Sequence, residues 1–256
     1  MQSCKANEAG QLLKPRMTLD RVCKRFGGVV AANEVSFSLS PREVHGLIGP
    51  NGSGKTTVLN LISGVTEMDS GNIWLDGQLI SKQPCHVRAR GGVSRTFQHP
   101  RLLKRCDIQT NLYLGIDLAN MKQKSMTSCG YTLSELLDAA GLSINMNDSI
   151  TTLSYGQQKL FEIVRAILSH PKVILLDEPA AGLNSKEMER VVALIDCAVK
   201  GDAAVLLVEH SMDLVMSLCN GITVLNFGRP IAEGQPEEIQ SNEAVIEAYL
   251  GRGRSA

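Results

Sequence analysis

Eight consecutive residues, Gly49, Pro50, Asn51, Gly52, Ser53, Gly54, Lys55 and Thr56, have the types and spacing needed to hold a polyphosphate. Glycines at 49, 52 and 54 let the backbone turn its N–H groups inward around phosphate oxygens, in conformations that a Cβ would forbid. Lys55 reaches the terminal phosphates and Thr56 offers a hydroxyl to Mg²⁺, with Thr57 completing the binding stretch. Further along, Asp177 and Glu178 close the apolar run that starts at Val173. Asp177 can hold Mg²⁺ through water, and Glu178 can polarise an attacking water. Cleaving a phosphoanhydride needs positioning and charge neutralisation more than covalent chemistry, so a lysine, a Mg²⁺ and a water-orienting carboxylate are sufficient.

These groups require a scaffold that brings them together. Residues 43–48 read as a buried strand and 55–63 as a helix whose N-terminus faces the anion. Further strand patterns lie at 17–26, 35–40, 72–75, 93–97, 173–176, 203–209 and 221–226, and helical patterns at 155–169, 185–199 and 211–218. Apolar strands alternating with helices imply a parallel sheet covered on both faces. Asp177 and Glu178 then stand at a strand's carboxyl end, where ligands of such sheets bind. Between 101 and 152 no strong strand appears, whereas 108–119 and 132–140 carry helical spacing, so a helical subdomain is expected there. Residues 121–130 are polar and read as a loop. Neither an internal repeat nor a low-complexity segment is present.

The 256 residues are enough to bury roughly 70–75% of the surface that the unfolded chain would expose. Lys plus Arg equals Asp plus Glu at 26 each, so no net field draws the chain to nucleic acid or anionic lipid. The seven cysteines contain no Cys-x-x-Cys pair, and their scatter over apolar segments suits reduced thiols in the cytoplasm. Residues 1–16 lack the apolar core of a signal peptide or span. No later apolar run approaches the roughly 20 residues of a spanning helix.

Between the two phosphate motifs lies Leu153-Ser154-Tyr155-Gly156-Gln157, opening a helical pattern. In that position it resembles the signature motif of ABC-transporter ATPases, whose usual form is Leu-Ser-Gly-Gly-Gln. The resemblance covers roughly residues 17–251. It implies an α/β P-loop NTPase fold with a mixed sheet flanked by helices, an antiparallel β subdomain and an inserted helical subdomain at about 101–152, with tails at 1–16 and 252–256. It also implies that Ser154, Gly156 and Gln157 clamp a nucleotide held by a second such subunit, so that two chains sandwich two ATP molecules. Gln98 resembles the glutamine that senses Mg²⁺ and the attacking water and links them to the helical subdomain. His210 resembles the switch histidine that contacts the γ-phosphate, and Phe26 the aromatic that stacks on adenine. Without the family, each of these three has an ordinary structural reading: a surface glutamine, a hydrogen-bonded strand-end histidine, a packed phenylalanine.

The strings at 94–98, 178–184, 25–28 and 245–251 are similar to those of ATPase subunits of branched-chain amino acid importers, with urea importers close behind. Two residues depart from the wider pattern: Tyr155 stands where a glycine is usual, and Asn184 where an aspartate is usual. The resemblance implies a cytoplasmic ATPase, peripheral on the inner face of the membrane. Its partners would be a like or unlike second ATPase, an integral membrane permease and, indirectly, a solute-binding protein. The segment from 98 to about 118 would form the groove for a permease helix. A lipopolysaccharide-type exporter ATPase shares this architecture. DNA-repair and ribosomal ABC ATPases do not fit, lacking here their long coiled coil or second cassette, and P-loop kinases leave residues 153–157 unexplained.

Overall fold

The computed structural model describes residues 14–119, 127–128 and 130–250. Strands β1 (Met17–Phe26) and β2 (Val29–Leu39) pair antiparallel, and β3 (Val44–Ile48) leads into helix α1 (Lys55–Ser63). Strands β4 (Ser70–Leu75) and β5 (Gln78–Leu79) fold back on β1, making a four-stranded antiparallel sheet in the order β2-β1-β4-β5. Helix α2 (Cys85–Arg90) and strand β6 (Val93–Arg95) precede the insertion. The insertion holds α3 (Ile108–Ala119), the short pair β7 (Thr127–Ser128) and β8 (Tyr131–Thr132), and α4 (Leu133–Ala139). Then come α5 (Tyr155–Leu168), β9 (Val173–Asp177), α6 (Ser185–Lys200), β10 (Ala204–Val208) and α7 (Met212–Leu218). The described chain closes with β11 (Gly221–Asn226), β12 (Arg229–Gly234), α8 (Pro236–Gln240) and α9 (Glu243–Leu250).

The larger sheet runs β12-β11-β3-β10-β9-β6, parallel throughout except for the edge strand β12. Strict alternation along its central strands sends side chains into two separate cores. Ile174, Leu176, Val205 and Leu207 pack with α5, α6 and the helical insertion. Val173, Leu175, Leu206 and Val208 pack instead with α1 and the antiparallel sheet. A strand buried on both faces must be apolar at every position, which is why β9 and β10 read as continuous runs. The C-terminus of α1 is tied down by Arg88, a buried guanidinium that donates to Leu61 O (2.6 Å) and Ile62 O (2.9 Å). Those carbonyls lie in the last turn, where Leu61 O otherwise accepts only a long bond from the cap Gly64 N (3.3 Å), so the contact fixes α1 at the end opposite the phosphate loop.

Several boundaries differ from the sequence expectations. The strand expected at 35–40 starts at Val29, because β1 is long enough to extend the hairpin across the half-exposed stretch 29–34. The strand expected at 93–97 ends at Arg95: Thr96 N still donates to Leu175 O (2.9 Å), but Phe97 N turns to the Glu162 carboxylate (3.2 Å). Within the loop expected at 121–130, Thr127 and Ser128 pair with Thr132 and Tyr131, while 120–126 and 129 lie outside the described residues. Helices α2, α8 and α9 and the edge strand β12 are additions: α2 and α8 are too short for periodicity to register, and Pro230 interrupts the strand pattern of β12. Arg16 N donates to Leu39 O (2.7 Å) and its guanidinium pairs with Asp76 (3.1 Å) and Asp202, while 1–13 and 251–256 lie outside the described residues.

Candidate functional site

The turn from β3 into α1 is made by Gly49, Gly52 and Gly54, whose φ angles are 149°, 77° and 105°. A Cβ on Gly54 would overlap the Ala31 carbonyl, whereas around Gly52 nothing lies within 4 Å on that side. Helix α1 starts with no side-chain cap, so its first N–H groups are left for an anion. Ser53 Oγ is buried without a hydrogen-bond partner, spare capacity that a phosphate oxygen would satisfy. Pro50 is half-buried and Asn51 exposed on the loop, and Thr56 (exposed) and Thr57 (half-buried) follow on α1. Lys55 is buried, and its Nζ donates to Gly49 O (2.7 Å) and Pro50 O (3.0 Å). Burial pushes its pKa below the ordinary lysine value, while Glu178 and Asp177 act in the opposite direction. The loop thus presents a desolvated cation and free donors, a fit to polyphosphate.

At the carboxyl end of β9 the three residues read as catalytic meet on one carboxylate. Gln98 Nε2 donates to Glu178 Oε2 (2.9 Å), and His210 Nε2 lies 2.8 Å from Glu178 Oε1. Glu178 itself adopts a left-handed backbone with φ 49°. Its N–H donates to Val208 O (2.9 Å) and its carbonyl accepts from Lys159 Nζ (2.7 Å), contacts that hold a conformation disfavoured for a side chain with a Cβ. Asp177 Oδ2 pairs with Arg95 Nη2 at 3.0 Å, both side chains being only 7% exposed. Arg95 also donates to Asn60 Oδ1 (2.7 Å) and Ser63 Oγ (3.2 Å), so Asp177 carries its own counter-charge. Thr56, Gln98 and Asp177 offer hydroxyl, amide and carboxylate oxygens, the hard donors that suit Mg²⁺.

Ser154 caps α5: its Oγ accepts from Gln157 N (3.2 Å), and Gln157 Oε1 accepts from Ser154 N (2.9 Å). A Cβ on Gly156 would overlap the Glu187 carboxylate and displace it from its capping position. Glu187 is held in a second capping box, in which Asn184 Oδ1 accepts from Glu187 N (3.0 Å) at the start of α6. Asn184 therefore does the capping work that an aspartate would do, without the charge. Tyr155 lies half in solvent and its hydroxyl donates to Gln98 O (3.2 Å). Phe26, at the end of β1, is 51% exposed with Lys24 Nζ 5.4 Å from its ring centroid, which sets aside the core-packing reading.

Sequence reasoning missed Arg95, Lys159, Glu162 and Glu209. For Glu162, between Phe161 and Ile163, and for Glu209, after the run Val205 to Val208, a charge beside apolar residues was the available signal. Glu209 Oε1 accepts from Ala180 N (2.7 Å) and Oε2 from His210 N (3.1 Å), tying the backbone that follows Glu178 to the backbone that enters His210. Burial pushes its pKa above the ordinary carboxylate value, against the pull of these two N–H groups and of Lys159. A raised folded value favours folding below the ordinary carboxylate pKa, and that contribution is lost as pH rises through the folded value. Urea unfolding of Glu209→Gln should therefore shift relative to wild type in the variant's favour between pH 4 and pH 7, whatever its constant offset. A difference that is flat with pH would show that burial does not perturb this carboxyl.

A cavity of about 420 Å³ opens behind this cluster, between α2, α3 and α5. Its lining includes His86, Arg95, Phe97, Leu114 and Arg165. Of the segment expected to form a groove, 98–118, Leu114 and Gly115 line it, while α2, β6 and α5 supply most of the wall; side chains from 116 to 119 lie outside the described residues.

Comparison with known proteins adds to this geometry. The model of the ABC transporter family matches residues 32–181, and that of the branched-chain amino acid ATP-binding cassette transporter matches 229–254. The chain is 39% identical to the high-affinity branched-chain amino acid transport ATP-binding protein BraF of Pseudomonas aeruginosa, over 93% of this chain and 98% of that one. It is 37% identical, with the same shares covered, to the corresponding protein LivG of Escherichia coli. A solved nucleotide-free ATP-binding cassette from an ABC transporter superposes with a TM-score of 0.80 at 29% identity, covering 93% of this chain and 100% of that chain. The ADP conformation of such a cassette gives a TM-score of 0.79 at 28% identity, covering 93% and 99%.

Proposed function

The chain belongs to the ABC-transporter family of ATPases, and from that membership we propose that the ATP it hydrolyses drives import of branched-chain amino acids through a membrane permease. The convergence of Gln98 and His210 on the Glu178 carboxylate, beside the buried Lys55, carries the assignment of the site. The choice of solute is supported by the names of the relatives and by the match over 229–254.

In this reading residues 49–57 bind the phosphates and Phe26 stacks on adenine. Thr56, Gln98 and Asp177 would hold Mg²⁺, which neutralises phosphate charge when bound. Glu178 takes the proton of the attacking water. His210 holds that carboxylate in position and lies where it can sense the terminal phosphate. Ser154, Gly156 and Gln157 grip a nucleotide held by a second ATPase subunit, of like or unlike sequence. No helix among the described residues is long and apolar enough to cross a membrane, so membrane work passes through the permease. The cavity between α2, α3 and α5 is the surface offered to a cytoplasmic helix of that permease, and the protein sits peripherally on the inner face. A solute-binding protein would act on the far side.

Uptake of labelled leucine and labelled urea in cells lacking the protein tests the proposal. Wild type should restore leucine uptake by tenfold or more over the Glu178→Gln form, in line with the loss of a general base. Rescue of urea alone would keep the mechanism and overturn the solute.

A further inference from the structure

The segment 97–101 joins β6 to the helical insertion and carries Gln98. A single helix grips its backbone at three places. Glu162 of α5 accepts from Phe97 N through Oε2 (3.2 Å) and from Arg101 N through Oε1 (3.0 Å). Arg165 Nη2 donates to Arg101 O (2.8 Å) and lies 3.6 Å from Glu162 Oε1. At the first turn of α5 the Tyr155 hydroxyl donates to Gln98 O (3.2 Å). Phe97, meanwhile, has two guanidinium groups over its ring, Arg95 at 4.9 Å and Arg101 at 4.3 Å from the centroid.

Glu162 is only 2% exposed, and burial pushes its pKa above the ordinary carboxylate range against the two N–H groups and Arg165. A buried carboxylate is a poor source of stability compared with a packed apolar side chain, so its value here lies in the geometry it imposes. The geometry is specific. Both oxygens are spent on the two ends of one short loop, and Tyr155, at the place where the family usually has glycine, fastens the middle.

We propose that Tyr155, Glu162 and Arg165 are positioning residues that lock segment 97–101 to α5, so that the signature turn and the Gln98 carboxamide move as one body. A load applied at Ser154 by a second subunit would then reach the Gln98–Glu178 contact with no intervening flexible link. This rests on the proposed roles of Gln98 and of residues 154–157.

The test compares amide hydrogen exchange of the nucleotide-free full chain with its ATP turnover, for wild type, Glu162→Gln, Tyr155→Phe and Gln98→Ala. In Glu162→Gln the amides of Phe97 and Arg101 should exchange about tenfold faster while those of β9 are unchanged, as local opening predicts. Its kcat should fall about tenfold with KM for ATP within about twofold, since only the presentation of Gln98 is altered. Tyr155→Phe, which removes one half-exposed hydroxyl and cannot unfold the core, should change both in the same direction by about threefold. Unchanged exchange at 97 and 101 would overturn the clamp. So would faster exchange at normal kcat while Gln98→Ala abolishes turnover, or a loss of turnover that follows faster exchange throughout β9. Normal turnover in Gln98→Ala would instead show that the role given to Gln98 was wrong, and would remove the catalytic meaning of the clamp with it.

Discussion

Replacing Glu178 with glutamine should slow ATP hydrolysis by roughly 10²–10⁴-fold while nucleotide binding survives. The substitution preserves shape and both hydrogen-bonding positions: an amide oxygen can face Gln98 Nε2 and an amide nitrogen can face His210 Nε2, now 2.9 and 2.8 Å from the carboxylate. The left-handed backbone at 178 also keeps its supports, since Val208 O and Lys159 Nζ bond to main-chain atoms. What is removed is the negative charge and, with it, proton acceptance. Steady-state turnover, measured beside equilibrium binding of a fluorescent ATP analogue, separates the two quantities. Turnover within a few-fold of wild type would take the base role from Glu178, and lost binding would mean the substitution had disturbed the loop.

Lys55→Met should produce a second large loss, with nucleotide binding lost alongside turnover. The ammonium is buried and desolvated, and in this state it is held by the carbonyls of Gly49 and Pro50. In its proposed role the charge acts on phosphate in a low-dielectric setting, where removing one such contact lowers turnover by roughly 10²–10³-fold. Nucleotide affinity should fall as well, because the contact exists in the bound state and not only at the transition state. Methionine keeps the length of the side chain and removes the buried charge, so the unfolding temperature without nucleotide should stay level or rise. The readout is the rise in melting temperature on adding ATP, large in wild type and nearly absent in the variant. A full ATP-dependent shift in the variant would show that Lys55 does not reach the phosphates.

Much of the site was legible because its residues serve chemistry with little help from neighbours. A phosphate loop is local: eight residues and the helix after them create the anion site, whatever the rest of the chain does. The apolar run into Asp177 and Glu178 is equally local, since a strand buried on both faces announces itself by continuous hydrophobicity. Gln98 and His210 had weak individual signals, and the family resemblance supplied their roles. What could not be read was the company they keep. Arg95 looked like part of a string, and only the sheet order β9-β6 sets it against Asp177. Glu162 sat in a helix whose buried positions are apolar apart from Lys159, with no hint that its two oxygens span the ends of a loop some sixty residues earlier in the chain. The early end of β6 has the same origin, because Phe97 gives its N–H to that carboxylate in place of a strand neighbour.

The sequence by itself determined the fold class, the glycine-rich turn between strand and helix, the carboxylate pair that ends an apolar strand, and the family, because these depend on backbone permissiveness, hydrophobic period and residue type over short stretches. Tertiary structure alone decided that Gln98 and His210 share Glu178, that Asp177 carries Arg95 as counter-ion, and that α5 grips segment 97–101 at three points. Each of those is a contact between residues far apart in the chain, made only when parallel strands align their carboxyl ends and a helix packs across them. Hydrogen bonds are short-ranged and directional, so they follow from the packed arrangement of elements and cannot be inferred from the composition of any one of them.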